Sequence, residues 1–219
     1  MIAISGLTKR YKDVLAVDDV SLEVPSGSVC GLLGRNGAGK TTTFKCLLGF
    51  ARADAGSVRF DGEPLTPATF AKLGYVPERA QVYGWMTVAQ HLELVRRSQP
   101  RYDDAFVREL VTTFRLDPRK RAGKLSKGQQ TALALIVALA IRPSLLLLDE
   151  PASGLDPVLQ RVVLDLLIDA ASGGATILLS SHQIGQVDRA ADRVAIMRDG
   201  KIVVAGEIDA LREASRVVE

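Results

Sequence analysis

Gly34-Arg35-Asn36-Gly37-Ala38-Gly39-Lys40-Thr41 is the stretch on which the reading of this chain turns. Gly34, Gly39, Lys40 and Thr41 satisfy G-x-x-x-x-G-K-[ST], the Walker A pattern, and Thr42 extends the hydroxyl pair. Glycines let the backbone curl until its N–H groups converge on a phosphate. A helix starting at Lys40 adds the positive end of its dipole. Lys40 would neutralise the β and γ phosphates, and the Thr41 hydroxyl would hold magnesium.

The context on either side agrees. Val29 to Leu33 is a short apolar strand running into the loop, and Phe44, Leu47 and Leu48 line one face of the following helix, which Gly49 stops. Upstream, Val20 to Val24 alternates like a half-buried strand before a Pro25-Ser26-Gly27 turn, and Met1 to Tyr11 shows similar alternation. Val58 to Gly62 is expected to be a strand and turn. Thr87 to about Ile141 changes character and predicts helices, the first opened by a Thr87-Gln90 capping box and another striped from Phe106 to Phe114. Strands return at Leu145 to Leu148, Ala175 to Leu179 and Val194 to Met197, with Val158 to Ala171 a crossover helix and Asp199-Gly200 a hairpin turn into Lys201 to Ala205. Buried strands alternating with helices predict an α/β fold with a mainly parallel sheet.

Two acids stand where such a sheet places chemistry. Leu145-Leu146-Leu147-Leu148 delivers Asp149 and Glu150 at its carboxyl end, the edge where ligands sit in open α/β sheets. Asp149 could hold magnesium through water, the Walker B role, and Glu150 could polarise an attacking water. His182 ends a second apolar strand, Ile177 to Ser181, where its imidazole could reach a γ-phosphate or that water.

The bulk composition fits one domain. The chain has 219 residues, 47% hydrophobic and 24% charged, enough to bury a sizeable core. A formal charge of +3 gives no footing for nucleic acid. Lys9-Arg10-Tyr11-Lys12 and Arg119-Lys120-Arg121 read as solvated loop faces. Cys30 and Cys46 lie in apolar stretches and read as reduced core thiols of a cytosolic protein. Met1 to Tyr11 has no secretory h-region, and the longest apolar run, Ala132 to Ile141, falls short of the ~20 residues of a bilayer span. The expectation is a soluble protein.

Leu125-Ser126-Lys127-Gly128-Gln129-Gln130 precedes a long apolar helix, with Ser126 and Gln129 spaced as a capping box. A capped helix N-terminus containing glycine is also an anion site. With a complete phosphate loop elsewhere in the chain, a second such site is best explained if it serves another subunit's nucleotide. Here the sequence resembles the ATP-binding cassette family, from about Ile2 to Leu211. Walker A, the signature at Leu125 to Gln129, Walker B ending at Asp149, the catalytic glutamate at Glu150, the D-loop Ser153-Gly154-Leu155-Asp156 and the switch histidine His182 follow in the family's order. Tyr11 matches the aromatic that stacks on adenine.

The resemblance implies a P-loop ATPase domain over residues 1–219, with a mainly parallel sheet, an antiparallel β part and a helical subdomain at about 87–141. It implies a subunit that binds ATP and magnesium, pairs with a second ATPase subunit, and drives a polytopic membrane permease from the cytoplasmic face. Nucleotide contacts would come from Tyr11, residues 34–42, Ser126, Gly128, Gln129 and Asp156, and magnesium contacts from Thr41, Glu78 and Asp149. Two departures stand out. Lys127 occupies a position where the family has glycine. Glu78 occupies that of the Q-loop glutamine, with Gln81 a weaker stand-in, and the acid is similar to that of export-type cassettes. Two other readings stay open: a soluble cassette working on a non-membrane partner, and a nucleotide-gated module with little turnover.

Overall fold

The computed structural model describes residues 1–216; the last three residues of the expected 1–219 domain lie outside them. Strands β1 (Ile2–Tyr11), β2 (Val14–Val24) and β4 (Ala55–Phe60) form an antiparallel sheet in the order β2-β1-β4. A second sheet has the order β5-β6-β7-β3-β8-β9. Its strands are β3 (Val29–Leu33), β5 (Leu73–Val76), β6 (Leu145–Asp149), β7 (Thr176–Ser181), β8 (Arg193–Arg198) and β9 (Lys201–Glu207). All of its pairings are parallel except β8 with β9, the hairpin turned by Asp199-Gly200.

Helices α1 (Lys40–Leu47), α2 (Pro67–Phe70), α3 (Val88–Ser98), α4 (Asp104–Thr113), α5 (Lys127–Leu139), α6 (Pro157–Ser172), α7 (Ile184–Ala190) and α8 (Ile208–Arg216) complete the chain. The stretch expected to be helical contains α3, α4 and α5. Capping boxes at Thr87-Gln90 and Ser126-Gln129 open α3 and α5 by satisfying otherwise free N–H groups.

The parallel sheet is buried on both faces, and strand period sorts its side chains between two cores. Leu146 and Leu148 of β6 join a core built with α5, including Leu133 and Ile136. Leu145 and Leu147 point the other way, into a core with Phe44 and Leu47 of α1 and with Ile4 and Leu7 of β1. Continuous leucines in β6 are therefore two faces of one strand. The N-terminal antiparallel sheet closes the second core and so braces α1 behind the phosphate loop.

Several expectations need correcting. Lys9-Arg10-Tyr11 is strand, not loop: it pairs with β2, and Lys9 Nζ lies 3.1 Å from Asp54 Oδ1. The strand expected at Val20 begins at Val14, because its first half is less buried and alternates less cleanly. α2, β5, α7 and α8 were not anticipated from the sequence. The first two span only four residues each, and Gly185 interrupts the apolar pattern of α7.

Cys30 and Cys46 are free and buried. Burial pushes the Cys30 thiol up to about 12, against the weaker opposing pull of Arg193. The unfolded chain therefore ionises this thiol first, from about pH 9, and its burial subtracts stability as pH rises from there toward 12. Ellman's reagent should label neither cysteine of the native protein at pH 8 and both after unfolding in guanidinium. Rapid labelling of a folded sample would contradict the burial.

Candidate active site

Three strand ends meet here. The order β6-β7-β3 sets the carboxyl ends of β6, β7 and β3 side by side, so Asp149, Ser180 and the loop after Leu33 become neighbours. The N–H of Gly34 continues the ladder by donating to Ser181 O at 3.2 Å. The chain then turns through Arg35 to Ala38 and enters α1. Gly39 sits at φ +109°, outside the range of ordinary side chains, and a Cβ there would fall 2.4 Å from Ala16 O. Only glycine lets β2 cover the loop this closely.

Lys40 is 6% exposed. Its ammonium donates to Gly34 O at 2.6 Å and to Arg35 O at 3.4 Å. It also lies 3.4 Å from Glu150 Oε1, an ion-pair distance without hydrogen-bond geometry. Asp149 is 0% exposed and Glu150 8%. Asp149 Oδ2 and Glu150 Oε1 are buried carboxylate oxygens without a hydrogen-bond donor, and such atoms cost free energy unless a cation or donor meets them. Glu150 also has φ +54°, a left-handed conformation costing about 1–3 kcal/mol for a side chain of its kind. Its Oε2 is held 2.9 Å from His182 Nδ1, so the two expected catalytic residues are in contact.

Ser180 organises this pair and escaped the sequence reading. Its hydroxyl donates to Asp149 Oδ1 and accepts the Glu150 N–H at 3.1 Å. One side chain thus fixes the Asp149 carboxylate and the Glu150 backbone. The signal was the register, which sets Asp149 at the end of β6 beside Ser180 near the end of β7, but strand order is not written in one sequence.

A cavity of about 510 Å³ opens over the loop. Arg35, Asn36, Gly37, Gly39, Lys40, Thr41 and Thr42 line it together with Glu78 and Glu150. Val14, Leu15 and Ala16 of β2 also contribute, which the sequence did not suggest. Glu78 lines this cavity, whereas Gln81 lines only a neighbouring one of about 680 Å³ that Glu78, Thr41 and Asp149 share. Tyr11 lies outside the lining, exposed at the end of β1, with Lys9 Nζ 5.3 Å from its ring centroid.

Ser126, Gly128 and Gln129 are not brought to this cavity. They form the start of α5, where Ser126 is exposed and its hydroxyl accepts the Gln129 N–H at 3.2 Å. A Cβ on Gly128 would lie 2.6 Å from Gly154 O, so glycine is required for α5 to meet the 153–156 turn. Asp156 caps α6, accepting the N–H groups of Val158 and Leu159. Lys127 lies along Gly154 on the same surface.

A phosphate loop between a central parallel strand and a helix, with an acid pair two strands away, defines a P-loop nucleotide-hydrolase domain. Residues 17–153, more than half of the chain, match the ABC transporter family. The uncharacterized ABC transporter ATP-binding protein YhaQ of Bacillus subtilis is 36% identical over 219 residues, spanning 98% of this chain and 74% of that protein. The lipopolysaccharide export system ATP-binding protein LptB of Haemophilus influenzae is 34% identical over 212 residues, 92% of this chain and 88% of that protein. The solved structure of an ATP binding subunit of an ABC transporter superposes with TM-score 0.88 at 27% identity, covering 99% of this chain and 94% of that one. The chain belongs to the ABC transporter family, as one of its ATP-binding, ATP-hydrolysing subunits. Among the described residues, no helix is long and apolar enough to cross a membrane.

Ser180→Ala removes a donor from Asp149 and an acceptor from Glu150. It should cost about 1–3 kcal/mol of stability, read from the urea midpoint, and lower kcat for ATP by about tenfold or more. A variant equal to the parent in both measurements would deny Ser180 its organising role.

Proposed function

We propose that this chain binds MgATP on the 34–42 loop, hydrolyses it with Glu150, and couples the cycle to a separate membrane permease by pairing with a second ATPase subunit. The observation that carries this reading is the buried trio of Lys40, Asp149 and Glu150, with Lys40 and Glu150 lining the phosphate-loop cavity and Asp149 the cavity beside it.

Lys40 and the loop N–H groups would bind the β and γ phosphates, displacing the ammonium from its contact with Glu150. Glu150 is then free to orient a water and take its proton, with His182 fixing the carboxylate through the 2.9 Å contact. Magnesium fits the donor-free oxygen of Asp149 and the Thr41 hydroxyl. Bound there, it would neutralise phosphate charge. Glu78 faces the same cavity as an additional acid beside the γ-phosphate position. Tyr11, with an exposed ring, would stack on adenine.

Ser126, Gly128 and Gln129 lie on a surface apart from their own phosphate loop, together with the 153–156 turn. That placement supports a head-to-tail pair in which each chain closes the partner's nucleotide through α5 and Asp156, a two-fold arrangement. The 87–141 helices would act as a subdomain that passes closure to the permease, at the cytoplasmic face of the membrane. Relatives named for export, among them the lipopolysaccharide export protein and Nod factor export ATP-binding proteins, support an exporting role.

Glu150→Gln should abolish phosphate release while keeping ATP affinity within about threefold, since only the proton acceptor is lost. Turnover at the parent rate would overturn the assignment of Glu150. Lys40→Ala removes the buried cation and should weaken ATP binding by about two orders of magnitude in equilibrium titration; unchanged affinity would remove the phosphate-loop assignment.

A further inference from the structure

His91 lies within α3 and is 6% exposed. Both ring nitrogens have fixed partners. Nδ1 lies 2.8 Å from the carbonyl oxygen of Thr87, the residue that caps α3, and Nε2 is 3.0 Å from the backbone N–H of Tyr83. A carbonyl only accepts and a backbone N–H only donates, so the pair of contacts requires a neutral imidazole with its proton on Nδ1. The Tyr83 ring stacks on the imidazole at a centroid distance of 5.9 Å and an interplanar angle of 28°. Trp85 lies 6.1 Å beyond Tyr83, and both aromatics are largely exposed, at 57% for Tyr83 and 71% for Trp85.

This contact gains meaning from what it terminates. β5 ends at Val76, and among the described residues no hydrogen bond holds residues 77–82. The Tyr83 N–H is therefore the first hydrogen-bonded anchor after the sheet, and it is held by a side chain of α3. Glu78 sits within the intervening span and lines the cavity of the phosphate loop, while Glu78, Tyr83 and His91 all line the 680 Å³ cavity beside it. The span is strung between a rigid strand and the imidazole.

We propose that His91, in its Nδ1–H form, is a positioning residue for ATP hydrolysis, tethering the span that presents Glu78 to the nucleotide and linking it to the exposed Tyr83–Trp85 pair. This rests on the ATPase reading above. It assigns His91 no contact with ATP. Releasing the tether leaves the phosphate loop intact, so the effect falls on kcat and spares KM.

The test combines nitrogen-15 NMR of the histidine side chains with steady-state ATPase assays of native protein, His91→Leu, His91→Gln, Glu78→Ala and the Glu78→Ala/His91→Leu double variant. The His91 signature should show a protonated Nδ1 and an unprotonated Nε2. His91→Leu should lower kcat by about tenfold while KM for ATP stays within about twofold. His91→Gln, whose amide oxygen can accept the Tyr83 N–H, should recover most of that loss. In the Glu78→Ala background, His91→Leu should change kcat by less than about twofold, because two residues acting through one path are not additive. A merely structural role would give equal losses in both backgrounds. A proton on Nε2, a native kcat in His91→Leu, no recovery in His91→Gln, or additive losses would overturn the proposal. Absence of turnover in the native protein would instead overturn the ATPase reading and the catalytic half of this proposal with it, and the nitrogen signature separates that result from failure of the tether.

Discussion

Two carboxylates and one ammonium, Asp149, Glu150 and Lys40, are held out of water, the acids at the carboxyl end of β6 and the lysine at the start of α1. Charges buried in this way are tolerated only when they neutralise one another or meet a ligand of matching charge. The lysine satisfies part of this requirement by bonding to carbonyls of its own loop, and Glu150 stands at ion-pair distance from it. Two carboxylate oxygens have no donor at all. A metal-bound polyphosphate answers both needs together, offering anionic oxygens to the lysine and a cation to the acids. The fold can be understood as the apparatus that keeps these groups close and dry.

Each layer contributes to that end. The parallel sheet fixes which strand ends are adjacent, and Ser180, on the strand between the acids and the phosphate loop, ties the Asp149 carboxylate and the Glu150 backbone to one hydroxyl. The antiparallel sheet packs against α1, and β2 comes close enough to line the cavity, an approach that only the glycine at position 39 permits. On the other face α5 lies along the sheet while presenting its capped N-terminus outward beside the 153–156 turn. One chain thus displays two unlike surfaces, one concave and charged, the other a helix start.

Much of this was legible in the sequence, for identifiable reasons. The phosphate loop, the acids after four leucines and the capping box at Ser126 are local patterns whose chemistry depends on spacing alone, and the structure puts them at strand ends and helix starts as expected. Three kinds of feature were not legible. Ser180 matters because of strand order, and Val14 to Ala16 because a distant strand folds over the loop. Elements as short as β5 and α2 have too few residues to show a period. The basic run at Lys9 looked like a solvated loop because its charge obscured a strand whose partners are far along the chain. Ser180, Val14 to Ala16 and the Lys9 run all depend on contacts distant in sequence.

The account stands or falls on whether a nucleotide on one chain is closed by the α5 surface of another. The most direct measurement is the solution mass of the Glu150→Gln variant by light scattering, with saturating MgATP and again with MgADP. A mass of two chains with MgATP and of one chain with MgADP is the expected result. A single-chain mass with MgATP, over a range of protein concentrations and salt, would contradict the two-sided grip.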